Sequence, residues 1–113
     1  LFDLSMNICL IGYGKMGQTI ERLAITRGHK IVAIIDEHNH FELVNIKKLK
    51  ADVAIEFTSP SAAFNNISTC LDIDVPVISG TTGWQDKLDT IKEKCLKKNG
   101  VPETNSDRFF IGI

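Results

Sequence analysis

The stretch Ile11–Gly17, IGYGKMG, constrains this chain more than any other, because it sets three glycines between an apolar run and a helical pattern. Gly12, Gly14 and Gly17 spell G-x-G-x-x-G where a strand gives way to a helix. Each glycine then has its own physical use. The first permits a tight turn, the second lets a ligand approach the backbone, and the third lets helix and strand pack closely. The first N–H groups of a helix lack intrahelical acceptors and sit at the positive end of its dipole, so the vacated space suits a phosphate. The bland alternative is a glycine turn kept for packing alone.

The remainder of the chain repeats the same alternation. Met6–Ile11, Lys30–Asp36, Asp52–Phe57 and Val75–Gly80 are short runs rich in Ile and Val, bounded by polar or turn residues, and read as buried strands. Between them lie helical patterns. Met16, Ile20, Leu23 and Ala24 predict one apolar face, with Gly28 as a left-handed cap. Ala63, Ile67, Cys70 and Leu71 predict a second, with Ser59 as N-cap and Pro60 at the first helical position. Leu88, Ile91, Cys95 and Leu96 predict a third, rich in lysine toward its end and stopping at Gly100. This rhythm predicts an α/β fold, a Rossmann-type doubly wound parallel sheet. With 113 residues, 43% of them hydrophobic, the chain reads as a single domain. Residues 1–5 read as a leader or added residues, 6–113 as the domain, and 101–113 as an atypical tail.

One connection is irregular. Glu37–Lys50, EHNHFELVNIKKLK, reads as a loop with at most a short helical turn near Asn45–Leu49. His38 and His40 form an H-x-H pair without a nearby third ligand, so a solvated loop is preferred to a metal site. The KKLK run reads as a solvated face.

Charge and cysteine usage narrow the partners. A net charge of −1 gives no electrostatic footprint for nucleic acid or an anionic membrane, and no apolar stretch is long enough to span a bilayer. Cys9, Cys70 and Cys95 lie inside apolar patterns without metal-ligand spacing, which fits a reduced, cytoplasmic setting.

Two further features turn the anion site into a dinucleotide site. Asp36 ends the second strand 19 residues after Gly17, where a carboxylate accepts hydrogen bonds from adenosine ribose hydroxyls. The alternative is a strand-end solubility residue. Glu37 follows it, so a 2′-phosphate would meet two carboxylates; NADH is preferred, and NADPH stays possible because Lys15 could reach a phosphate. The second feature is SGTTGW, Ser79–Trp84, after the fourth strand. Ligands of open α/β sheets bind beyond the carboxyl ends of the strands, so Phe57, Thr58, Gly80, Thr81 and Thr82 are predicted to line one crevice with the glycine loop. There they could seat a nicotinamide ring and its carboxamide. Alternatively Thr81 and Thr82 only make a turn and cap a helix starting near Gln85.

IGYGKMG, DVAIEFTSPSAA and PVISGTTGW, in this order and spacing, resemble the N-terminal cofactor domain of the 4-hydroxy-tetrahydrodipicolinate reductase (dihydrodipicolinate reductase) family. That family belongs to bacterial lysine and diaminopimelate biosynthesis. The resemblance runs from Met6 to about Gly100. It implies that Gly12, Tyr13, Gly14, Lys15, Met16 and Gly17 hold the pyrophosphate side and that Asp36 meets the adenosine ribose. It places Phe57, Thr58, Gly80, Thr81 and Thr82 toward the nicotinamide. The reaction it implies is hydride transfer from NADH or NADPH to a cyclic imine-type dicarboxylate, usually in a homotetramer.

The tail departs from the resemblance. The family has an NFS-x-G segment after the last helix; Phe109–Ile113 is faintly similar, with Phe110 in place of the serine. The paired histidines and lysine segment of the family's C-terminal substrate domain have no counterpart here, so no catalytic residue is assigned. The homotetramer, built largely through that domain, becomes doubtful for this chain. The expectation is a domain that binds cofactor and does not turn over alone; the alternatives are a free-standing, non-catalytic dinucleotide-binding module and a folded remnant without a ligand.

Overall fold

The computed structural model describes residues 4–99 and 110–112. Within them the chain runs β1 (Asn7–Ile11), α1 (Lys15–Thr26), β2 (Lys30–Ile35), a three-ten helix (His40–Asn45), β3 (Val53–Glu56) and α2 (Pro60–Asp72). It continues through β4 (Val77–Ser79), a three-ten turn (Gln85–Lys87), α3 (Leu88–Asn99) and β5 (Phe110–Gly112). Every strand pairing is parallel, in the order β2-β1-β3-β4-β5. The doubly wound α/β expectation therefore holds. The four expected strands are all present and slightly shorter, and β5 adds a strand that the sequence reading did not foresee.

Alternation along the strands divides the core. Cys9 and Ile11 of β1 join Ala54, Val77, Leu43 and Ile46 with the apolar faces of α2 and α3. Ile8 and Leu10 join Val53 and Ala24, with Ile20 packed against them, on the side of α1. Both faces of the sheet are thus covered by apolar side chains, as a parallel sheet requires.

Helix α2 buries the predicted Ala63, Ile67, Cys70 and Leu71, and α3 buries Ile91 and Cys95 with Leu88 and Leu96 half-buried. Ser59 and Pro60 stand at the expected N-cap and first helical positions, but the Ser59 side chain makes no capping hydrogen bond. Gly28 has φ +86°, as a left-handed cap should. Gly100 and most of the tail lie outside the described residues.

The predicted face of α1 needs correction. Ala24 is buried and Ile20 packs beside it as expected, but Met16 and Leu23 are about half exposed, and Gly17 is buried with Ala24. The cause is the close approach at Gly17, where a Cβ would lie 2.4 Å from the carbonyl oxygen of Gly12. That approach leaves no room for a side chain at position 17, so the buried stripe passes through Gly17 and Ala24, with Ile20 packed beside it.

The irregular crossover also differs from expectation. The expected turn is present as successive hydrogen-bonded turns from Asn45 to Lys50, and an unexpected three-ten helix, His40–Asn45, precedes it. Leu43 and Ile46 are the apolar anchors that fold it onto the sheet. The four residues of KKLK are exposed.

Chain direction makes the crevice. The chain leaves β1 for β2 on one side and returns as β3 on the other, so the loops after β1 and β3 diverge at the carboxyl edge. Ladder bonds persist one residue beyond each strand and hold those loops: Gly12 N–H to Ile35 O at 2.8 Å, Phe57 N–H to Ile11 O at 2.9 Å, and Gly80 N–H to Glu56 O at 2.9 Å.

Candidate functional site

A cleft of about 500 Å³ opens at this switch point. It is lined by the loop after β1 (Gly12, Tyr13, Gly14), the loop after β2 (Asp36, Glu37, His38), His40, the loop after β3 (Phe57, Thr58, Ser59) and two α2 residues, Ala62 and Asn66.

The three glycines do different work. Gly12 has φ +99°, and a Cβ there would lie 1.9 Å from Phe57 O, so both its conformation and its surroundings exclude a side chain. Gly17 is required by the contact with Gly12 already described. Gly14 is the informative one: at φ −78° any residue fits, and a Cβ would meet no protein atom within 4 Å. Protein packing does not explain this glycine. It stands at the N-cap of α1, where the first helical hydrogen bond runs from Gln18 N–H to Gly14 O at 3.0 Å. The N–H groups just before Gln18 have no acceptor within the helix. Open space beside free donors and a positive dipole end is a cradle for an anion.

Tyr13 is fastened across the helix entrance, its hydroxyl donating to Glu21. That hydrogen bond, ahead of any burial, pushes the phenol above its usual range.

At the opposite end, Asp36 closes β2 inside a reciprocal turn. Its Oδ1 accepts from the N–H of His38 at 2.8 Å and of Asn39 at 3.3 Å, while Asn39 Oδ1 accepts from Asp36 N–H at 2.7 Å. Asn39 Nδ2 also donates to Ile34 O at 2.9 Å. Among the described residues, the carboxylate is thereby held at the cleft by hydrogen bonds to Oδ1.

The loops after β3 and β4 are joined by a buried carboxylate that sequence reading missed. Glu56 is 0% exposed and accepts from Ser79 Oγ at 2.6 Å, from Thr81 Oγ1 at 2.9 Å and from Thr58 Oγ1. Thr81 Oγ1 in turn accepts from Thr58 N–H at 2.8 Å. Asn66 Nδ2 approaches Thr58 Oγ1 at 3.5 Å, and Asn66 Oδ1 meets His40 Nε2 at 2.6 Å. A signal was present. Side chains two apart share one face of a strand, so Glu56 with Thr58, and Ser79 with Thr81, are four polar groups on one side of the β3–β4 pair. The register sets Glu56 directly beside Ser79.

Of the predicted site residues, Gly12, Tyr13, Gly14, Asp36, Phe57 and Thr58 come together around the cleft. Lys15, Met16, Gly17, Gly80, Thr81 and Thr82 do not line it. Gly17 lies under the glycine loop, and Gly80 lies under the Phe57 ring, which a Cβ would strike at 2.0 Å. Thr81 is buried with its hydroxyl turned to Glu56, and its carbonyl accepts from Trp84 Nε1 at 2.7 Å. The Gly83–Gln85 turn is closed by Gln85 Oε1 on Gly83 N–H at 2.8 Å, without either threonine side chain. His40 is less of a loop residue than expected, since it lines the cleft and holds Asn66. Among the described residues no three His, Cys, Asp or Glu side chains gather as a metal group, and no helix is long and apolar enough to cross a membrane.

A family model described as dihydrodipicolinate reductase, N-terminus, matches residues 6–105. The chain belongs to the dihydrodipicolinate reductase family. It is 48% identical over 98 residues to the 4-hydroxy-tetrahydrodipicolinate reductase of Christiangramia forsetii, a match that covers 85% of this chain and 39% of the relative. With the same enzyme of Staphylococcus epidermidis it shares 36% over 99 residues, 79% of this chain and 40% of the relative. The chain thus spans about two fifths of the length of these reductases, and the matched portion is their N-terminal part. A solved structure, dipicolinate-bound dihydrodipicolinate reductase from Paenisporosarcina sp. TG-14, superposes with a TM-score of 0.66 at 21% identity. That superposition covers 84% of this chain and 44% of the other, and establishes the likeness of fold to a member of the dihydrodipicolinate reductase family.

Proposed function

We propose that residues 6–113 are the nicotinamide-dinucleotide-binding domain of a reductase that forms tetrahydrodipicolinate, and that this domain does not turn over by itself. The observation that carries the reading is Gly14: a glycine with open space around its missing side chain, at a helix N-terminus, on the wall of the cleft. In this reading the backbone amides of Gly14, Lys15 and Met16 receive the pyrophosphate, and Asp36 accepts from the adenosine ribose through the oxygen left over from its turn. Phe57 and Thr58 face the nicotinamide half, with Gly80, Thr81 and Thr82 behind them. The bound nicotinamide supplies the hydride; the chain supplies orientation and excludes water from one face of the cleft. A cyclic dicarboxylate would be the acceptor, as the family membership and the relatives' names support. Membership in a biosynthetic reductase family, with no membrane-spanning helix among the described residues, supports a cytoplasmic setting.

Glu37 beside Asp36 supports NADH over NADPH, because both carboxylates border the place where a 2′-phosphate would sit. Calorimetric titration with NADH and NADPH tests both parts. Saturable binding, tighter for NADH, is expected, and Asp36→Ala should weaken NADH about tenfold while narrowing its lead over NADPH. Absence of heat with either dinucleotide would refute the binding reading. Unchanged affinities in Asp36→Ala would remove that residue from the site.

A further inference from the structure

The buried carboxylate below the cleft has no place in the binding roles given so far, yet it accepts from three hydroxyl side chains at the ends of β3 and β4, Thr58, Ser79 and Thr81. Glu56 is completely enclosed, and Ser79, Thr81 and Thr58 each direct a hydroxyl at it. Burying a carboxyl group costs several kcal/mol unless hydrogen bonds compensate. An apolar residue in that strand position would avoid the cost, as Ala54 and Val77 do on the neighbouring core face. A merely structural role leaves the choice of an acid unexplained.

Donor and acceptor inventories give the network a direction. Thr81 Oγ1 accepts from Thr58 N–H and donates its own proton to Glu56. Thr58 Oγ1 donates to Glu56 and accepts from Asn66 Nδ2, which leaves Asn66 Oδ1 as the acceptor for His40 Nε2–H. An unbroken series therefore crosses beneath the cleft, from the crossover that follows Asp36, through α2, to the loop after β4. Its centre is the one group that only accepts.

We propose that Glu56 is a positioning residue for the nicotinamide half of the site: by holding the Thr58 and Thr81 hydroxyls, it fixes the Thr58 backbone and the Phe57–Thr58 wall against which the ring lies. The inference rests on the dinucleotide reading above. It places the effect at one end of the ligand only. Glu56 touches no part of the glycine loop or of Asp36 among its hydrogen bonds, so the adenosine and pyrophosphate contacts should not depend on it.

The test measures affinity of the full chain for NADH and for ADP-ribose, which carries both phosphates and both riboses but no nicotinamide. Glu56→Gln keeps the shape and replaces one acceptor with a donor; Thr81→Val removes the hydroxyl that links Glu56 to Thr58 N–H; Thr81→Ser restores it. Glu56→Gln and Thr81→Val should lower NADH affinity at least tenfold and leave ADP-ribose within about twofold, with Thr81→Ser close to the parent. Equal losses for both ligands, or none for either, would overturn the inference while leaving the dinucleotide reading intact. A parent chain that binds neither ligand would overturn both. Should Glu56→Gln not fold, the Thr81 pair decides in the same way. Amide hydrogen exchange in the unliganded parent adds a reading free of variants: Thr58 N–H should exchange slowly, and rapid exchange would contradict the clamp.

Discussion

The cleft has two walls built on opposite principles. At the β1–α1 wall the site is made by removing side chains: Gly12 and Gly17 let backbone touch backbone, and Gly14 leaves room beside the helix N-terminus. At the β3–β4 wall it is made by adding them, with the buried Glu56, Ser79 and Thr81 and the part-buried Thr58 satisfying one another. The first wall presents main-chain donors suited to any phosphate. In the proposed reading the second presents a shaped surface to the nicotinamide ring. Backbone donors make the first wall, and a buried polar network makes the second.

The sharpest way to break this comparison is at Gly12. Gly12→Ala must take a left-handed backbone and press a Cβ into Phe57 O, so it damages both walls at once. Destabilisation of roughly 3 kcal/mol or more is expected, seen as a lowered urea midpoint. A parent-like midpoint would mean that the two loops are not in contact.

Gly14→Ala separates packing from ligand space. Because its Cβ would meet nothing, stability should change by less than about 1 kcal/mol, while NADH affinity falls about tenfold or more. Thermal melting and titration of the same sample provide both numbers. An unaffected affinity would return the glycine motif to a packing device.

The smallest effect lies away from both walls. Burial pushes the Cys9 thiol from 9.0 up to about 12, so the folded chain holds a proton there that the unfolded chain releases above pH 9. The resulting stabilisation is complete below that pH and is lost as pH rises toward 12. By pH 10 the loss from this group should be about 1 kcal/mol. Comparing urea midpoints at pH 8 and pH 10 should therefore show a shallower alkaline decline in Cys9→Ala than in the parent. Identical declines would place that thiol in water.

The β1–α1 wall was legible in the sequence because its residues are neighbours in the chain and its requirement is a residue type, glycine, with few other uses. Asp36 was legible for a similar reason, as it closes an apolar strand at a fixed interval from the loop. Glu56 was not. In DVAIEF it reads as the polar border of a strand, and only pairing with β4 brings Ser79 and Thr81, more than twenty residues away, onto its two oxygens. The turns from Asn45 to Lys50 match the expected short helical turn, but the three-ten helix at His40–Asn45 was missed, because Leu43 and Ile46 are too few apolar anchors to make a period.

Sequence by itself determined the order of strands and helices, the glycine loop and the acidic end of β2, because these depend on local conformation and on periodicities of a few residues. Tertiary structure alone decided that Met16 and Leu23 of α1 turn outward, which threonines reach the cleft and what holds them. Those outcomes depend on approaches that form only when the chain packs: a Cβ on Gly17 would lie 2.4 Å from Gly12 O, and one buried carboxylate joins two loops that meet only across the β3–β4 pairing.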